Sequence, residues 1–400
     1  MRLKVRKKDI LIFLSIFLIV IGDSRYLINI NKASFFQYIG YLLLMIEIFI
    51  SFHRSNNQKE KRKDLIFFII VGIFLYTGIL LQRLPIATII RLEFTMICIA
   101  AITTLSSSVL NDEKSIMASR NGVILGVIVS LVLAIIGGNS LTNIVHEGTI
   151  QTGFNGGLEH KNYFAGAMLC ILISENSLEK LSKNKSKYNS SLYLKILVIF
   201  LIIISASRGG YILLFSYIIL NNYSSILKIS KRERRIFIPL LIVLIALLGG
   251  YTYKRFALSS STYMYRIRGI FNYINFFKND TFHMIFGNSE LAYSNSANED
   301  FGWNIRALVG WDGTLEFSYL EILIKNGILG IIGYLLIFIR FEYLRRRIKS
   351  NIRKQICFAV FITLLISSLV ETYIVNVHLI YGIFSYLLIM GMNNHIRKEA

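Results

Sequence analysis

The chain has 400 residues, 54% of them hydrophobic and 17% charged, with a mean hydropathy of +0.57. A soluble domain carries about 25% charged residues, so this composition excludes an ordinary globular enzyme and points to a multi-span membrane protein. A net charge of +21 would suit a nucleic-acid binder, but the Lys and Arg residues lie in short runs between apolar segments, which excludes a continuous basic surface.

The segment 1–9 carries Arg2, Lys4, Arg6, Lys7 and Lys8, and an apolar run ending near Asp23 and Arg25 follows. No small-residue cleavage site follows that run, so it reads as a retained first helix rather than a signal peptide. Further apolar runs occupy 34–52, 64–81, 86–108, 120–138, 162–176, 192–206, 210–227, 236–251, 314–339, 355–371 and 374–391. Together these predict about twelve spans, each matching the roughly 20 residues that cross a bilayer. The whole of 1–400 therefore reads as one polytopic all-α membrane domain. Its one large extracytoplasmic loop, 252–313, lies between spans nine and ten.

Charge placement sets the orientation. With the N-terminus inside, the inside segments 1–9, 53–63, 109–120, 178–190, 228–235, 340–354 and 393–400 hold five, five, two, four, five, seven and two basic residues, 30 of the 44 in the chain. The short outside connections 23–33, 82–85, 139–161 and 372–373 hold only Arg25, Lys32, Arg83 and Lys161. This positive-inside pattern puts both termini in the cytoplasm. The three cysteines, Cys98, Cys170 and Cys357, fall inside apolar runs and read as buried thiols, with neither a metal site nor a cofactor indicated.

Three features stand out from this scaffold. The first is Ser207-Arg208-Gly209-Gly210. Leu192 to Arg208 covers only about 24 Å as helix, against a hydrocarbon core of about 30 Å, so Arg208 is predicted to sit recessed at a glycine-assisted turn. A guanidinium grips phosphate in two-pronged fashion and glycines let backbone N–H groups face an anion. The second is Gly156 to Asn162 at the start of the sixth span, where His160 reads either as a base or hydrogen-bond donor or as a capping residue. The third is the loop with the helix after it. Arg266, Arg268 and Arg306 are its cations, and Asp312, Glu316 and Glu321 are acids at its junction with the tenth span. Its tyrosines, among them Tyr273, suit either sugar stacking or an interfacial belt. Gly327, Gly330 and Gly333, spaced by three, suit close helix packing. Arg91 and Glu93 are the main charges inside the spans, and they read as a pair.

These residues, in this order, resemble the bacterial O-antigen polymerase and ligase superfamily, that is, Wzy-type polysaccharide polymerases and O-antigen ligases. The resemblance rests on Ser207-Arg208-Gly209-Gly210, on Gly157 to Asn162, and on Tyr319-Leu320-Glu321 leading to Gly327 and Gly330. It implies a GT-C-like fold and a metal-independent, inverting glycosyltransferase in the bacterial cytoplasmic membrane. The donor and acceptor are then glycans carried on undecaprenyl diphosphate, membrane lipids surround the protein, and a chain-length regulator and a flippase are its expected partners. The resemblance places the diphosphate on Arg208, and Gly209, Gly210, Asn162, Arg266, Arg268 and Arg306 read with it as residues that bind the diphosphate or the glycan, the loop arginines helping to neutralise the leaving group. Glu316 and Phe317 stand where the family often has His-Asn, a departure that favours polymerase over ligase and leaves Glu316, then His160, then Asp312, as candidate bases. Two other readings remain at this point: a ligase passing finished glycan to another acceptor, and a flippase for lipid-linked oligosaccharides that does no chemistry.

Overall fold

A computed structural model describes residues 6–54, 57–82, 84–146, 149–182, 189–223, 262–289 and 317–393. For 143–146, 149–151, 189–191 and 262–268 the description covers the backbone alone. The described chain is helical, with one two-stranded hairpin. In order the helices are α1 Lys7–Gly22, α2 Arg25–Asn29, α3 Ala33–His53, α4 Gln58–Leu81, α5 Ile86–Leu105, α6 Glu113–Ile136, α7 Lys161–Leu181, α8 Asn189–Ile204, α9 Arg208–Asn221, α10 Thr262–Phe277, α11 Thr281–Phe286, α12 Ser318–Arg347, α13 Asn351–Ser367 and α14 Ile380–Met392.

Eleven of the twelve predicted apolar segments fall on helices, and the ninth, 236–251, lies outside the described residues. Among the described residues, five helical stretches are long and apolar enough to cross a membrane: Ala33–His53, Gln58–Leu81, Ile86–Ser108, Glu113–Ile136 and Ser318–Arg347. The protein is membrane-embedded on that ground. Within the predicted loop 252–313, the described part forms α10 and α11.

Local chemistry starts these helices. Asp112 caps α6 by accepting from the Ser115 N–H at 2.9 Å, and the Ser115 hydroxyl accepts from the Asp112 N–H at 3.3 Å, a reciprocal capping box. Asn57 caps α4 through the Glu60 N–H at 3.1 Å. Small residues then let helices touch. A Cβ on Gly122 or Gly126 of α6 would lie 2.7 Å from the Phe13 carbonyl oxygen or from Val20 Cβ of α1, so that contact admits only glycine. α14 lies at the centre; all thirteen of its residues are buried, as befits a helix that is apolar all round. Cys98, Cys170 and Cys357 are buried, in α5, α7 and α13.

Three details depart from the expected plan. The connection 139–161 contains an antiparallel hairpin, Asn143–His146 paired with Thr149–Thr152, where no strand was expected. Among the described residues no ion pair joins Arg91 to Glu93, and burial alone acts on the Glu93 carboxyl. They are two positions apart on α5, and a helix directs such neighbours to different faces.

The largest departure is at the end of the chain. The predicted two-residue connection 372–373 is in fact a twelve-residue non-helical stretch, 368–379, and α14 begins only at Ile380. Its backbone is held by turns, with the Glu371 N–H on the Ser367 carbonyl at 2.8 Å and the Asn376 N–H on Thr372 at 2.9 Å. Tyr386 donates to the Ile374 carbonyl at 2.9 Å, and Tyr41 donates to the Val377 carbonyl. Irregular backbone inside a membrane protein survives only where such partners or a polar cavity satisfy it.

A candidate site where three motifs meet

Residues of the first two motifs converge on one hydrogen-bond chain, and it begins at the turn between α8 and α9. Ala206 takes a left-handed conformation (φ 49°) that reverses the chain, and Ser207 caps α9. The Gly210 N–H donates to Ser207 Oγ at 2.9 Å. Ser207 Oγ in turn donates to Asn162 Oδ1 at 2.6 Å. The Asn162 Nδ2 donates to Glu371 Oε1. The order of donors is fixed by chemistry: a peptide N–H can only give, a hydroxyl passes the bond on, and a carboxylate can only receive.

Three elements are tied to that chain. Asn162 is held by α7, whose cap is His160: His160 Nδ1 accepts from the Asn162 N–H at 3.2 Å. Tyr373 donates to the Asn162 carbonyl at 2.8 Å. Ser318, the first residue of α12, donates through Oγ to the Glu371 carbonyl at 2.6 Å, and its N–H donates to Ser368 at 3.1 Å. Glu371 thus binds the starts of α7, α9 and α12 together while only 5% exposed. A carboxylate taken that far out of water persists because hydrogen bonds compensate it.

The glycines of the turn have unlike roles. A Cβ on Gly210 would meet Ala165 Cβ at 2.6 Å, so this position fixes how closely α9 approaches α7. A Cβ on Gly209 would meet only Val370 Cγ2 at 3.7 Å, an ordinary contact. That contact also places Arg208-Gly209 against Val370-Glu371. Arg208 itself is exposed at the first position of α9. The turn between two short helices is as expected. The idea that the Gly210 N–H faces an anion is corrected, because the Ser207 hydroxyl already occupies it.

The segment before α7 is strained in a way only glycine permits. Gly156 and Gly157 have φ of 60° and 82°, and a Cβ on Gly157 would run into the Ser130 carbonyl oxygen of α6. The Glu159 N–H donates to the Asp23 carbonyl at 2.8 Å, fastening this loop to the end of α1. Burial and the nearby Glu159 push the Asp23 carboxyl well up, against a hydrogen bond from Gln37 at 2.8 Å.

The remaining predicted residues separate. His160 acts as a cap, and that role uses the Nδ1 lone pair a base would need. Glu321 forms a buried ion pair with Lys325 one turn on, the two side chains 7% and 3% exposed, and Lys325 also reaches Asn376 Oδ1 at 3.5 Å. Tyr273 is fully buried and donates to the His283 carbonyl at 3.0 Å, so it packs rather than offering a sugar platform. Gly333 packs α12 on Phe74 and Leu75 of α4 as expected, whereas Gly327 is a kink with φ 63°. Gln82 donates to the Phe286 and Lys325 carbonyls at 2.6 and 3.0 Å beside that kink, which docks α11 onto α12. Arg266 and Arg268 lie on α10, their side chains outside the description. Arg306, Asp312 and Glu316 lie outside the described residues.

Sequence reasoning missed Glu371, although a signal existed. It is an acid beside Thr372 in a run that is otherwise apolar until Asn376. With the connection taken as two residues long, Glu371 counted only as the end of a span. No protein-family model matches this chain, and no curated protein matches it.

Proposed function

We propose that this protein polymerises undecaprenyl-diphosphate-linked oligosaccharide repeat units into a surface polysaccharide, acting as a GT-C-like glycosyltransferase at the outer face of the bacterial cytoplasmic membrane. About twelve spans, with both termini cytoplasmic, belong to the same reading. One observation carries it. Two of the segments on which the family resemblance rests are distant in sequence, yet Ser207 bonds to Asn162 and Asn162 to Glu371, and Ser318, the residue just before the third segment, bonds to the Glu371 carbonyl at the same end of the bundle.

The chemistry follows from that arrangement. Arg208, with cations of the loop, neutralises the diphosphate leaving group, the charge that develops as the glycosidic bond breaks. The acceptor hydroxyl attacks the anomeric carbon from the opposite face, so configuration inverts, and a carboxylate takes its proton. The loop arginines 266, 268 and 306 and the acids Glu316 and Asp312 remain candidates for these tasks.

Deleting the gene and sizing the surface and carrier-linked glycan tests the reading. Single repeat units on the outer face, with the long-chain ladder lost, are the expected result. Long chains left on the carrier would instead identify a ligase. A second reading, transport of the lipid-linked unit, draws on the buried Glu321–Lys325 pair inside α12, because ionisable pairs at depth mark pathways in carriers. Repeat units trapped on the inner face would establish it.

A further inference from the structure

We propose that Glu371 is the catalytic base of the transfer. The proposal rests on the polymerase reading above and deepens it by assigning the proton-accepting residue.

The argument starts from the direction of the hydrogen-bond chain. Gly210 gives to Ser207, Ser207 gives to Asn162, and Asn162 gives to Glu371. Both polar atoms of the Asn162 amide are engaged, so the amide cannot turn over without breaking two bonds. Each donor points toward the carboxylate. The chain therefore fixes the orientation of the Glu371 carboxyl group. A structural tie among three helix starts needs no charge at its centre; a neutral amide or hydroxyl would serve at lower desolvation cost.

Place supports the same assignment. A base must stand within hydrogen-bond reach of the attacking hydroxyl, and that hydroxyl must lie about 3–3.5 Å from the anomeric carbon. The anomeric carbon is itself one bond from the diphosphate oxygen. Because the attack comes from the face opposite the diphosphate, the base belongs across the anomeric carbon from the residue that grips the diphosphate, within the span of one sugar ring. The Gly209–Val370 contact puts Glu371 beside the Arg208 turn. The residues on either side of Glu371 are also fixed, Tyr373 by its bond to the Asn162 carbonyl at 2.8 Å and Ser368 by the Ser318 N–H at 3.1 Å. A preorganised group of this kind costs no rearrangement at the moment of reaction.

The step balances. The acceptor O–H bond breaks and its proton goes to the Glu371 carboxylate. The oxygen forms the new bond to the anomeric carbon, the bond from that carbon to the diphosphate oxygen breaks, and undecaprenyl diphosphate leaves with the electron pair.

Glu371→Gln is the discriminating variant, because glutamine keeps an oxygen to accept from Asn162 Nδ2 and removes the basic carboxylate. Cells lacking the gene are complemented with wild type, E371Q, E371D or E316Q at matched membrane levels. The readouts are the glycan ladder, the thermal unfolding of each purified protein, and its binding of undecaprenyl diphosphate. The expected result is a loss of chain extension of about 100-fold or more in E371Q, with unfolding temperature and undecaprenyl diphosphate binding held near wild type, and partial activity in E371D. Full extension by E371Q would overturn the assignment and leave Glu371 as a structural tie, with the polymerase reading intact. Loss of the ladder in E316Q alone would likewise overturn it. If E371Q does not fold, E371D decides: unchanged extension despite a carboxylate drawn back by one methylene counts against the proposal. An intact ladder in the deletion cells would remove the polymerase reading itself, a separate failure.

Discussion

At one end of the bundle, Arg6 grips Asp9 and Asp112 at 2.7 Å each, Lys8 reaches Asn111 at 2.8 Å and the Ser108 carbonyl, and Arg353 reaches the Asn111 carbonyl at 3.3 Å. At the other end, Gly210, Ser207 and Asn162 pass neutral hydrogen bonds to the single carboxylate of Glu371. Both arrangements join helix ends that are far apart in sequence. The first does so by setting cation against anion, which neutralises both. The second passes hydrogen bonds from a peptide N–H, a hydroxyl and an amide into one buried carboxyl group. Charges set against each other serve stability, whereas a directed hydrogen-bond chain fixes the orientation of the group at its end.

Substitutions at matched positions can break or sharpen that contrast. The largest effect is expected from the paired half. Glu175 of α7 is 1% exposed and bonded to Arg120 of α6. Arg120→Met strands the carboxylate, at a cost of about 3–5 kcal/mol, read as a large drop in unfolding temperature. Stability within 1 kcal/mol of wild type would mean that charge pairing matters less there than the geometry implies.

Next come the two glycines of the turn. Gly210→Ala forces α9 away from Ala165 and should cost about 1–3 kcal/mol together with chain extension, while Gly209→Ala should change stability by less than about 1 kcal/mol. Equal behaviour of the two in unfolding measurements would deny the close α7–α9 approach.

A third test compares two caps. Ser207 caps α9 and Ser350 caps α13, the latter accepting from the Arg353 N–H at 3.4 Å. Alanine at either position should cost about 1 kcal/mol. Only Ser207→Ala also breaks the chain to Glu371, so it alone should lose the glycan ladder. Loss in both, or in neither, would remove the distinction between the two ends.

The smallest effect is electrostatic. Burial pushes the Asp112 carboxyl up, but hydrogen bonds from Arg6 and the Ser115 N–H, with the charge of Lys8, outweigh it and hold the group well below the usual range. A depressed carboxyl contributes stability that is fully present above its unfolded pKa of about 3.9 and fades as pH falls through the folded value. Asp112→Asn keeps the cap and should flatten the acid limb of a stability–pH curve. With the carboxyl 38% exposed, solvent screening limits the effect to about 1 kcal/mol or less. An unchanged acid limb would assign that limb to other carboxyls.

The sequence by itself determined the membrane class and the apolar segments, because a bilayer demands a length and a polarity that composition displays directly. It also marked the three motif segments, since glycine pairs and a lone Arg stand out against an apolar background. The tertiary structure alone decided what those segments do to one another. Asn162, Ser207 and Ser318 are separated by 45 residues or more, and no local pattern records that they share a partner. Glu371 was hidden for a related reason. Helix periodicity is read from neighbours along the chain, whereas the non-helical stretch 368–379 is held by bonds from Tyr41 and Ser318, both remote in sequence, and from Tyr386 on the helix that follows it. Gly327 was misread as packing on the same ground: spacing shows where glycines recur, but only the docking of α11 by Gln82 shows which of them must bend.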